Sequence, residues 1–82
     1  MFYLYILYSK SKERYYVGQT NDLFNRLDRH NKGYVKSTKP YAPWDLVYNE
    51  EFTSRSEAMK RENQIKSWKS SIKIKELVDA SR

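Results

Sequence analysis

From Phe2 to Tyr8 every position is apolar or β-favouring, with Phe2, Leu4, Ile6 and Tyr8 on one side of an extended chain and Tyr3, Tyr5 and Leu7 on the other. A strand that is apolar on both sides predicts a central place in its sheet, covered on both faces. The polar run Ser9 to Arg14 predicts a turn, and Tyr15 to Gln19 a second short strand, together an N-terminal hairpin. With the turn centred on Lys10 and Ser11, Tyr5 and Tyr16 stand opposite each other on one face. Gly18 would then end the strand, where the missing side chain admits another backbone or a phosphate.

Thr20 and Asn21 are N-cap candidates for a helix from Asp22 to about Asn31. Its apolar stripe reads Leu23, Phe24 and Leu27, with Arg26 and His30, four apart, at the stripe's edge. Lys32 to Pro43 contains Gly33, Pro40 and Pro43 and reads as a loop carrying Lys32, Lys36 and Lys39. Trp44 to Phe52 predicts a third strand, with Trp44, Leu46 and Tyr48 alternating against Asp45, Val47 and Asn49. Ser54 and Glu57 form a capping box at the start of a second helix. Ser70 or Ser71 opens a short last helix that is expected to dock Ile72, Leu77 and Val78 on the core. The order ββαβαα predicts an α+β sandwich, a three-stranded antiparallel sheet flanked by helices.

One residue breaks the pattern of the second helix. At about 100° per residue, Ala58, Glu62 and Ile65 share a narrow sector, with Trp68 at its edge. An unpaired buried carboxylate is too costly to keep, so Glu62 must be paired, protonated or bound to a cation. A helix salt bridge to Lys66, or to Lys69, is the structural alternative to a metal ligand. The position on the apolar sector favours the metal ligand. Glu57 is explained by the cap and is given no chemistry.

At 82 residues the chain has room for one domain, residues 1–82, with one modest core. It has no cysteine, which excludes disulfides and cysteine-ligated zinc, and its single histidine excludes an all-histidine metal site. No run is long and apolar enough to span a membrane, and Met1 to Tyr8 alternates like a strand rather than an export signal. The expected location is the cytoplasm, with no membrane partner. Sixteen Lys and Arg against ten Asp and Glu leave a net charge of +6, and aromatic residues make up 16% of the chain. That combination points to a polyanion partner, most simply nucleic acid. The lysines of the 32–43 loop and the series Lys66, Lys69, Lys73 and Lys75 would then meet backbone phosphates.

Five residues ask for a shared explanation: Tyr5, Tyr16, Arg26, His30 and Glu62. Leu4-Tyr5-Ile6, the eleven-residue step to Tyr16-Val17-Gly18, the string Thr20 to Asn31 and the string Ser54 to Trp68 together resemble the GIY-YIG nuclease superfamily. The likeness is nearest to its small stand-alone bacterial members and runs from about Phe2 to Ser71. It implies a nuclease fold around a central three-stranded sheet, with a metal-dependent phosphodiesterase site. Carried over residue by residue, Tyr5 and Tyr16 match the family's paired tyrosines and Arg26 its helix arginine. His30 matches a position held by histidine or tyrosine, and Glu62 the metal-binding glutamate. The chain departs from several family nucleases in having no asparagine between Ser67 and Ile74.

Phosphodiester hydrolysis needs an activated water, neutralised charge on the phosphoryl oxygens and help for the leaving oxygen. Glu62 could hold one Mg²⁺, or Mn²⁺ in its place, and Arg26 could donate two hydrogen bonds to the phosphate. Tyr16 is the candidate general base, assisted by Tyr5 or His30. With an unperturbed pKa of about 10, a tyrosine base needs a cation nearby. The structural alternatives are packing for the tyrosines, an Asp22 pair for Arg26 and a helix-end dipole contact for His30. The expected function is a DNA endonuclease with a one-metal site. The alternatives are a non-catalytic nucleic-acid-binding module of the same fold, motivated by the missing asparagine, and a protein-interaction domain.

Overall fold

The strand expected at the centre of the sheet is there. In the computed structural model, which describes residues 1–81, β1 (Phe2–Ser9) lies between β2 (Arg14–Thr20) and β3 (Asp45–Phe52) and is antiparallel to both. Among the described residues there are also the helices α1 (Leu23–Asn31), α2 (Arg55–Ser67) and α3 (Ser71–Ala80), and a 3-10 turn at Lys39–Tyr41 inside the 32–44 loop. The fold is therefore α+β with the order ββαβαα, as the pattern predicts. No helix among the described residues is long and apolar enough to cross a membrane.

Because β1 is apolar on both faces, the sheet carries two small cores. On one side Leu4, Ile6 and Val17 meet Ile65 of α2 and Val78 of α3, with Trp68, Ile74 and Leu77 packed around them. On the other, Tyr5, Leu7 and Trp44 meet Tyr16, Leu23, Leu27 and Leu46. The inward line of α1 is Leu23, Leu27 and then His30, spaced four and three, so Phe24 stands 79% exposed instead of joining the stripe. In α3 the inward set is Ile74, Leu77 and Val78, and Ile72 points to solvent.

Two registers differ from the sequence expectation, and both matter for the site. The hairpin loop is residues 10–13, closed by Glu13 in the left-handed region at φ 53°, so Tyr5 faces Gly18 and Tyr16 faces Leu7. The tyrosines still share a face because the shift is an even number of residues. In β3 the pairing steps from Ile6–Tyr48 to Leu7–Leu46, which leaves Val47 as an extra residue in a β-bulge. The bulge sends Leu46 to the α1 side and both Val47 and Tyr48 to the α2 side, where strict alternation would put Leu46 and Tyr48 together.

Each helix begins on a side-chain cap. Asp22 accepts from the Asn25 N–H at 3.1 Å, and Thr20, an expected cap, instead accepts from the Asp22 N–H at 3.1 Å. Ser54 accepts from the Glu57 N–H, and the Glu57 carboxylate accepts from the Ser54 and Thr53 hydroxyls. The middle of α2 is fixed to β3 by a fork: Arg61 Nε donates to Glu50 Oε1 and Nη2 to Oε2, both at 3.0 Å, while the Tyr48 hydroxyl also donates to Glu50. With Ala58 and Ile65 both fully buried, this fork sets the rotation of α2 and so the direction of Glu62.

Candidate active site

Tyr5, Tyr16 and His30 form one aromatic cluster on the α1 side of the sheet. The Tyr16 ring centroid lies 4.9 Å from that of His30 and 6.2 Å from that of Tyr5, and Trp44 closes the group at 6.3 Å from Tyr16. Tyr5 is 2% exposed, and its hydroxyl is 3.0 Å from His30 Nε2. His30, expected at the edge of a stripe, is wholly buried. It can be buried because both ring nitrogens have partners, the second being Thr38 Oγ1 at 2.7 Å from Nδ1.

Burial is the main cause that pulls the His30 pKa down to about 4, with Arg26 and then Arg29 adding to it. The ring is therefore neutral at physiological pH. Burial likewise pushes the Tyr5 hydroxyl well above the usual tyrosine range; Tyr16 and Glu62 raise it further, and Arg26 opposes them. Arg26 and Glu62 thus both lie within electrostatic reach of the Tyr5 oxygen. All five residues singled out from the sequence converge on one region.

The two charged members differ in how they are held. Arg26 is half-buried on α1, and its guanidinium makes no ion pair or hydrogen bond among the described residues. The Asp22 pair envisaged from the sequence does not form; Asp22 is occupied by the cap. Glu62 is not deeply buried: its side chain is 18% exposed and pairs with Lys66, Nζ to Oε2, at 2.5 Å. Both the apolar-sector reading and the i+4 salt bridge are therefore present in the same residue. Lys66 Nζ also lies 5.9 Å from the Tyr16 ring centroid, which places an ammonium between the glutamate and the tyrosine.

Gly18 does not end β2, which continues to Thr20. Its missing side chain makes room for Tyr5: a Cβ at position 18 would stand 2.6 Å from the Tyr5 Oη and 2.7 Å from Cζ. The ring cannot swing aside without leaving His30. Gly18→Ala is expected to destabilise the fold by about 2 kcal/mol through overpacking and to break the Tyr5–His30 contact. Urea denaturation and the ring resonances of Tyr5 would show both; an unperturbed Tyr5 would contradict it.

The 32–44 loop supplies residues that periodicity does not mark. The Asn31 side chain donates to the Trp44 carbonyl and accepts from its N–H, and Trp44 Nε1 donates to the Thr38 carbonyl at 3.1 Å. The Ser9 hydroxyl donates to the Tyr41 carbonyl at 2.6 Å. A cavity of about 170 Å³ opens beside the cluster, lined by Arg14, Tyr16, Ser37, Thr38, Tyr41 and Trp44.

Residues 1–75 match the family model described as the GIY-YIG catalytic domain. The chain belongs to the GIY-YIG family. Similar to this GIY-YIG domain are the UPF0213 protein of Pediococcus pentosaceus, 43% identical over 90% of this chain and 78% of that protein, and the UPF0213 protein of Staphylococcus saprophyticus, 40% identical over 89% of each. A solved relative is the UPF0213 protein of Bacillus halodurans, whose solution NMR structure covers 98% of this chain and 85% of that one, at 35% identity and a TM-score of 0.61. These relatives are small bacterial proteins. The resemblance drawn from Tyr5, Tyr16 and the two helix strings is borne out, as is the fold.

Proposed function

We propose that the protein is an endonuclease that hydrolyses DNA phosphodiester bonds at the cluster of Tyr5, Tyr16, Arg26, His30 and Glu62. The observation that carries this reading is Arg26. A half-buried guanidinium with no hydrogen bond or ion pair among the described residues, beside a buried tyrosine–histidine pair, offers a planar donor fork to an anion. The net charge of +6 and membership of a family described as catalytic support a phosphate of nucleic acid as that anion.

The family implies a divalent cation. Among the described residues no group of three or more His, Cys, Asp and Glu side chains could hold a metal, so a cation at the cluster would rest on Glu62 alone. One carboxylate fits Mg²⁺, or Mn²⁺ in its place, since Mg²⁺ keeps several waters and takes phosphate oxygens from the substrate; it does not fit a zinc site. Lys66 takes Oε2, which leaves Oε1 without a hydrogen bond among the described residues. When bound, such a cation favours hydroxide over water and withdraws charge from the phosphoryl oxygens.

The protein's own residues have separable tasks. Arg26 stabilises the charge that develops on the phosphoryl oxygens. Tyr16 reacts as its phenolate, taking the proton of the attacking water to become the neutral phenol, with the Lys66 ammonium 5.9 Å from its ring as the nearby positive charge. Tyr5 and His30 hold the Tyr16 ring from two sides. His30, with a pKa of about 4, is too weak a base to serve as the proton's destination at neutral pH.

The test is Mg²⁺- and Mn²⁺-dependent cleavage of supercoiled and branched DNA, with Arg26→Ala and Tyr16→Phe beside wild type and circular dichroism as the check on folding. Arg26→Ala is expected to lose about 10²-fold in rate, the usual cost of one transition-state donor. Salt-sensitive binding by wild type with no cleavage, across metals and substrates, would instead assign the chain to the non-catalytic binding module.

A further inference from the structure

The cavity of about 170 Å³ beside the cluster has no task in the reaction as described, yet the two share a wall: Tyr16 lines the cavity and also packs on Tyr5 and His30. Three aromatic rings shape it. Tyr16 and Tyr41 each meet Trp44 at 60°, with centroids 6.3 and 6.2 Å away, so neither covers the Trp44 face by stacking on it. Trp44 is 3% exposed and fixed in place, its Nε1 donating to the Thr38 carbonyl and its backbone N–H to Asn31. Donors stand at the rim. Arg14 is exposed, lies 5.9 Å over the Tyr41 ring, and its guanidinium makes no hydrogen bond or ion pair among the described residues. The exposed Ser37 hydroxyl has no hydrogen-bond partner among them either, and none of them lines the cavity with a carboxylate. A cavity of roughly 150 Å³ is enough to hold benzene. This one therefore has room for one six-membered ring, well short of the roughly 300–1,000 Å³ of pockets for larger ligands.

We propose that the cavity binds an unpaired pyrimidine base of the DNA strand whose phosphate sits at the cluster. A pyrimidine is planar and can stack on the tyrosine faces, and its edge carries oxygen and nitrogen acceptors for Arg14 and Ser37. A purine, with two fused rings, exceeds the space. A base paired and stacked in a duplex cannot enter, so the preferred substrate is a strand with an unpaired pyrimidine beside the bond to be cut. Because Tyr16 belongs to both sites, the base and the phosphate are those of one nucleotide or of two neighbours. The position of cleavage rests on the nuclease reading; base binding does not.

Abasic DNA strands of equal length, carrying one central thymine, one central adenine or no base, present the same phosphates. Their affinities, measured in EDTA by fluorescence anisotropy, therefore differ by the base alone. The thymine strand should bind about tenfold more tightly than the baseless one, an ordinary effect of one stacked base, and more tightly than the adenine strand. Relative to the baseless strand, it should move the Trp44 indole N–H resonance and not that of Trp68, which packs on the opposite face of the sheet. Tyr41→Leu keeps apolar bulk against Trp44 but removes an aromatic face, and should cut the preference to about threefold or less. Equal affinity of wild type for the thymine and baseless strands overturns the proposal whether or not the Tyr41 variant folds. An adenine strand bound as tightly as the thymine one overturns it as well, and so does an undiminished preference in folded Tyr41→Leu. The expected preferences in a protein that cuts no DNA would uphold the base site and reject the nuclease reading.

Discussion

Glu62→Gln is expected to abolish metal-dependent cleavage, a loss of about 10³-fold or more, since among the described residues no larger group of acidic ligands could hold a cation, whose charge stabilisation is worth several kcal/mol. The fold should barely notice. Glutamine keeps the shape, the buried neighbours Ala58 and Ile65 are untouched, and α2 stays anchored through the Arg61–Glu50 fork. What the fold loses is the Lys66 pair, in which the lysine is 49% exposed, so the stability cost should stay under about 1 kcal/mol. DNA affinity in the absence of metal should be close to wild type, because Arg26 and the surface lysines remain. Single-turnover cleavage, Mn²⁺ binding by electron paramagnetic resonance and a urea titration separate the three quantities. Cleavage by Glu62→Gln at the wild-type rate would end the assignment of the metal to this residue.

The sequence was informative wherever a local rule had one outcome. β1 could only be central, because seven consecutive apolar or aromatic residues cannot be half-solvated. Ser54 with Glu57 could only begin a helix, and the 3.6-residue period then placed Glu62 between Ala58 and Ile65. The face shared by Tyr5 and Tyr16 was legible because the side-chain period of a strand is two, and a register error of two residues leaves faces unchanged. Where two local outcomes were nearly equal, tertiary structure decided. Lys10, Ser11, Lys12 and Glu13 can each take a turn position, and the close approach of Tyr5 to Gly18 selects the longer loop. Val47 bulges out of a strand whose alternation gives no sign of it, because both faces of the sheet offer an apolar core.

The site follows the same division. Residue types and helix spacing brought Arg26 and His30 onto one face, but nothing near His30 in the chain says that it is fully buried. That depends on Tyr5, twenty-five residues away, and Thr38, eight residues away, each satisfying one ring nitrogen. Thr38 sits in a lysine-rich loop with no periodicity to mark it, and only the local signal of a threonine before Lys-Pro hints at a helix start. Phe24 illustrates the converse. It is a large aromatic residue of α1 that lies outside, because the inward line runs through Leu23, Leu27 and His30, about 100° round the helix from it.

Burying a neutral histidine makes stability depend on pH, and the expected size is large for so small a domain. The native pKa of about 4 lies below the ordinary value of 6.5, so on acidification the unfolded chain takes up its proton first. The contribution is fully present above about pH 6.5, falls as pH drops toward 4 and levels off below that. Over that window it amounts to about 3 kcal/mol, against a total stability of roughly 5–15 kcal/mol for a typical domain. Carboxylates titrate in the lower half of the same window, so the measurement is a difference. Urea denaturation of wild type and His30→Gln between pH 7.5 and 4 should show wild type losing about 3 kcal/mol more than the variant. Because protonation of His30 makes both ring nitrogens donors, the Tyr5 and Thr38 hydroxyls must both accept, and the same window should also move the Tyr5 ring resonances before the protein unfolds. Parallel pH profiles for the two proteins would mean that the ring charges without cost, and that neither bond to it matters to the fold.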